Sequence, residues 1–150
     1  MEISPFYILH LIGAYCILLF ALLVPVFDNK HSKMDVNSTQ YATLAERFYS
    51  FYNFILFCGI ITLISGLILG YERILNGNLW LIIKIVLFFA LFAYMVKKIG
   101  KAARLRKRSF HNPWARFELI KKSNRKLSVS KYAYLLFVIV IVLLSYLKPL

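Results

Sequence analysis

Two ionisable side chains stand inside stretches that are otherwise almost wholly apolar: His10 in the run 5–27, and Lys84 early in the run 79–99. An imidazole can exchange a proton near neutral pH or coordinate a metal through either ring nitrogen. A buried ammonium can neutralise a carboxylate that would otherwise be costly to place in an apolar medium. Ionisable groups inside membrane spans are rare, and each is by default a functional-site hypothesis.

Each has a plainer reading. His10 can be a structural histidine bonded to a backbone carbonyl or to Ser65, against ligand or proton-transfer duty. Lys84 can snorkel outward along its own stem, against meeting an anion brought by a ligand. Met95 follows Lys84 by eleven residues, three helical turns on nearly the same face and about 16 Å deeper. A thioether there is more often core filler than a metal ligand. His31 and His111 read as solvated surface residues. Cys16 and Cys58 lie in apolar segments without CxxC spacing or a nearby His, so they read as free thiols rather than a zinc site or a disulfide framework. No nucleophile triad, phosphate loop, HExxH motif or pair of carboxylates is present.

The elements that must position these residues are four apolar runs. With 61% hydrophobic residues, 17% aromatics and a mean hydropathy of +0.69, the chain is far more apolar than a soluble domain. It reads as an all-α integral membrane protein, a single four-transmembrane-helix bundle. Helices are predicted at about 5–27, 47–70, 79–99 and 132–147; the first three reach the roughly 20 residues needed to cross, and the shorter fourth can be extended by 129–131. The aromatic entrance of the second helix (Phe48, Tyr49, Phe51, Tyr52) resembles an interfacial belt. Its Gly66-xxx-Gly70 pair predicts close packing, and Asn76-Gly77-Asn78 predicts a turn. The N-terminus lacks the positive region of a secretory signal, so the first helix is expected to be retained.

Thirteen of the nineteen Lys and Arg fall between Lys97 and Lys131. This segment reads as one basic loop, broken at His111-Asn112-Pro113, with a surface amphipathic piece over 114–120. Positive-inside topology puts it in the cytoplasm and both termini outside. Anionic lipid headgroups are its expected partners, and nucleic acid is not. His10 and Lys84 then share one layer about 7–8 Å below the outer boundary, and the second helix reaches that layer at Ser65 and Gly66.

The ordered spacing His10, Pro25, His31, the Arg-aromatic entry to the second helix, Thr62-Leu63-x-x-Gly66, Leu79-Trp80-x-x-x-Lys84 and the closing Lys148-Pro149 resembles the HemJ-type protoporphyrinogen oxidase family. That resemblance implies a small membrane bundle that oxidises protoporphyrinogen IX to protoporphyrin IX. It implies a bound b-type haem and quinone or the respiratory chain as electron acceptor. It makes His10 the functional first-helix histidine and candidate haem ligand, and Lys84 the partner of a propionate or a proton carrier. Met95 stands where the family has a later histidine in the third helix, and Val26 where it has an arginine. The leading expectation is therefore a HemJ-like oxidoreductase of a bacterial inner membrane, with His10, Lys84 and Met95 at the tetrapyrrole and His10 on the metal. The alternatives are a haem-binding relative without oxidase activity and a noncatalytic membrane interaction or assembly protein. A homo-oligomer is compatible with either.

Overall fold

The structure is a computed structural model and describes residues 3–147. Four long helices are present among them and no strand: α1 (Pro5–Ser32), α2 (Thr39–Leu75), α3 (Leu79–Arg108) and α4 (Arg116–Tyr146). Local chemistry sets their starts. Pro5 occupies the first turn of α1, where its missing N–H costs nothing. The Tyr41 N–H donates to the Ser38 hydroxyl at 3.1 Å at the head of α2, and the Leu81 N–H donates to Asn78 Oδ1 at 3.3 Å at the head of α3. Each satisfies an otherwise orphaned helix donor. The predicted turn is present: Gly77 has φ +70°, a left-handed value that glycine adopts without a Cβ clash.

All four spans are apolar and long enough to cross a bilayer, but their ends differ from those expected. α1 continues past Pro25, which lies inside it, to Ser32. α2 begins at Thr39 rather than 47, and α4 at Arg116 rather than 132. α3 passes through a π-helical turn, Met95–Gly100, and runs on to Arg108. The 97–131 segment is therefore not a loop. It is the paired ends of α3 and α4, joined by a short link over 109–115. At 1.5 Å per residue the 37 residues of α2 reach about 55 Å, well beyond a hydrocarbon layer of about 30 Å. Polar residues in these extensions stay helical because core-facing positions recur through them at three- and four-residue spacing, as in Ile120, Ser123, Leu127, Lys131 and Tyr134. The expected amphipathic surface piece is the first turns of α4. Its Ile120 packs inward at 4% exposure while Trp114 and Phe117 face out.

α1 packs chiefly on α2 and also on α4, while α3 packs on α2 and α4, so α1 and α3 stand across the diagonal. The core between them is Phe20, Val24, Tyr52, Ile55, Met95, Leu127 and Tyr134, with their neighbours. Gly66 and Gly70 do serve packing, but toward different helices. A Cβ on Gly66 would meet the His10 ring, and one on Gly70 the Leu81 side chain. The Lys148-Pro149 pair lies outside the described residues.

Candidate functional site

At the end of the bundle away from the charge, His10 is half-buried on α1 and leans against α2. Its Nδ1 lies 2.9 Å from the Thr62 carbonyl oxygen and 3.5 Å from Ser65 Oγ. A carbonyl can only accept, so Nδ1 carries the proton in this bond and Nε2 is the ring nitrogen left over from it. Ser65 and Gly66 are the α2 residues at this level, as the depth comparison expects. Lys84 is half-buried on α3, with its ammonium 6.0 Å from the centroid of the Trp80 ring. Trp80 is one turn closer to the N-terminal end of α3, so the stem runs toward that end of the span, the course of a snorkelling lysine.

Met95 is 3% exposed and belongs to the apolar core. The void beside it, lined by Ile17, Ile55, Phe92, Met95 and Tyr134 among others, holds about 10 Å³. That is the scale of a single water, whereas ligand pockets for flat organic groups run to about 300–1,000 Å³. The void beside Met95, as packed, is too small for a haem.

The dense polar constellation is at the opposite, basic end. Asp28, His31, Arg106 and Lys131 are buried, with exposures of 3%, 0%, 0% and 6%. The Asp28 carboxylate accepts from both cations: Oδ1 from Arg106 Nη2, and Oδ2 from Lys131 Nζ at 2.9 Å. These are the two ion pairs among the described residues. Arg106 also donates from Nη1 to His31 Nδ1 at 2.9 Å and from Nη2 to Asn124 Oδ1 at 2.9 Å. Lys131 donates to Asn29 Oδ1 at 2.7 Å. Because a guanidinium has no acceptor, His31 Nδ1 must hold a lone pair. His31 Nε2–H then donates to the Tyr41 carbonyl at 3.1 Å, so this imidazole is neutral. Its ring stacks on Tyr41 at 4.0 Å.

The cluster draws on all four helices: Asp28, Asn29 and His31 from α1, Tyr41 from α2, Arg106 from α3, and Asn124 and Lys131 from α4. One carboxylate faces two cations, leaving a net positive charge inside the bundle. Among the described residues, Arg106 Nε and the Tyr41 hydroxyl are buried without a hydrogen-bond partner.

Sequence reading misses this cluster. It places Asp28 in a connection, counts Arg106 and Lys131 among loop charges, and reads His31 as solvated, whereas the structure buries it completely. The available signal was register. Ile17, Ala21, Val24, Asp28 and His31 form one stripe of α1, and Met95, Ile99, Ala102 and Arg106 one stripe of α3. Charge had masked the periodicity.

A family model described as "Predicted integral membrane protein (DUF2269)" matches residues 6–149. Nothing among curated proteins or solved structures matches the chain.

Removing one partner of a buried ion pair leaves an uncompensated charge, at a cost of about 3–5 kcal/mol. Asp28→Asn is therefore expected to lower the thermal unfolding midpoint of the detergent-solubilised protein sharply, and Asp28→Asn with Lys131→Met to recover part of the loss. An Asp28→Asn protein that melts with the wild type would show that the cluster does not hold the helices together.

Proposed function

This chain belongs to the DUF2269 family of predicted integral membrane proteins, and from that premise we propose a noncatalytic membrane interaction protein whose basic end engages anionic lipid headgroups. It sits in a bacterial inner membrane with that end in the cytoplasm and both termini outside. The observation that carries the reading is the convergence of Lys98 and Lys101 of α3 with Lys126 of α4, which lies within electrostatic reach of both. None of the three pairs with a carboxylate among the described residues. Lys98 and Lys101 belong to a wider set: eleven Lys and Arg at this end, from Lys30 and Lys33 to Lys122 and Arg125, are exposed, and Lys126 is half-buried beside them. Like charges gathered at one level call for anions from outside the chain, and phosphate headgroups are the anions a membrane supplies there. The packed interior and the ion-paired Asp28 cluster fit a rigid platform better than a substrate cavity.

In lipid-exchange measurements by native mass spectrometry, the wild type should retain phosphatidylglycerol in preference to phosphatidylcholine. Lys98, Lys101 and Lys126 changed together to Gln should weaken that retention by roughly tenfold or more. Equal retention of both lipids by the wild type would end the proposal. Orientation is tested separately by a periplasm-active reporter joined after Leu150. Activity is expected, and a reporter active only in the cytoplasm reverses the topology.

A second reading rests on His10. Its Nδ1–H is tied to a backbone carbonyl, the arrangement that fixes the tautomer of metal-binding histidines and leaves Nε2 available. This supports a haem-linked oxidoreductase acting on a porphyrinogen, with Lys84 near a propionate and quinone or the respiratory chain as acceptor. A haem that bound would have to lie outside the present core or repack it. The reading predicts a Soret band in protein expressed with ample haem, lost in His10→Ala, and colourless wild-type protein excludes it.

A further inference from the structure

α1 and α2 make their closest approach just below the His10 layer. A Cβ on Gly13 would lie 2.0 Å from Thr62 Oγ1 and 3.1 Å from the Cys58 carbonyl oxygen. The two backbones therefore touch where α1 has no side chain. Cys16 lies three residues beyond Gly13 along α1, on the same face. Cys58 lies four residues before Thr62 on α2, and because the helices are antiparallel this is a step in the same direction. The two thiols therefore stand at one level of the α1–α2 seam, on facing helices. A disulfide needs Cα atoms about 4.4–6.8 Å apart, a separation reached by helices only where their backbones come this close.

Access is asymmetric. Cys58 is buried, whereas Cys16 is partly exposed. Both lie inside hydrophobic spans, away from aqueous thiols. The redox partner that can reach Cys16 is one that dissolves in the bilayer.

We propose that Cys16 and Cys58 are a dithiol–disulfide couple that staples α1 to α2, with a bilayer-resident quinone as its two-electron acceptor. In the oxidation, the two S–H bonds break and one S–S bond forms. The two electrons and two protons released reduce the quinone to the quinol. The oxidised form fixes the α1–α2 seam six residues from His10, in the pair of helices that holds its ring against Thr62. The inference is independent of whether His10 binds a haem and of what the basic end binds.

The test uses the full chain in phosphatidylcholine vesicles, treated with a short-chain benzoquinone, then denatured and labelled with a maleimide. The expected result is loss of both thiols of each chain, recovery with dithiothreitol, one quinol formed per chain, and a Cys16–Cys58 linked peptide in the mass spectrum. Cys16→Ala and Cys58→Ala should each keep their remaining thiol under the same treatment. The proposal is overturned if both wild-type thiols stay labelled. It is also overturned if thiol loss comes from quinone adducts or from bridges between chains, either of which would persist in the single-alanine variants.

Discussion

The structure depends on one carboxylate. Asp28 accepts from Arg106 and from Lys131 and so ties α1 to α3 and α4 at the end where the helices leave the apolar layer. In lipid the hydrophobic effect does not drive helices together, since hydrocarbon tails are as apolar as Leu, and association rests on close packing and polar links. A single buried anion between two cations is a strong link of this kind. Its value lies in the heavy penalty for breaking it more than in any net gain over an apolar core.

The rest of the basic end follows from that contact. Once Arg106 is held by Asp28, its second Nη reaches His31 and fixes that ring as the neutral tautomer, which in turn donates to the carbonyl of Tyr41 and stacks on its side chain. α2 is thereby joined to the cluster without contributing a charge. The π-helical turn at Met95–Gly100 lies just before this region. Such a turn takes up an extra residue relative to a regular helix. Beyond it α3 still presents Ala102, Ala103 and Arg106 to the interior, and Ser123 of α4 donates to the Ala102 carbonyl at 2.8 Å.

The two ends of the bundle are thus built by different means. Toward the end that carries His10, small residues let helices touch, with Gly66 beneath the His10 ring and Gly13 against Thr62. Toward the basic end, charge and aromatic stacking do the joining, and the cations not used inside are displayed on the surface. That end carries a half-buried imidazole and two free thiols. The basic end carries an electrostatic surface. Between them lies a core whose void holds about 10 Å³.

Composition alone determined the four apolar runs, the turn at Gly77 and the gathering of charge toward one end, because each depends on residues close together in the chain. It also drew attention to His10 and to its level beside Ser65 and Gly66, since depth along a helix is counted from sequence. Only the tertiary structure decided where the helices end and what Asp28, His31, Arg106 and Lys131 are for. A charged residue at a core register looks the same in sequence as a solvated one. What separates them is the partner, and here the partners lie 75 to 103 residues away. Cys16 and Cys58 read as free thiols in the sequence and are free thiols in the structure, and only the α1–α2 seam at Gly13 brings them to one level.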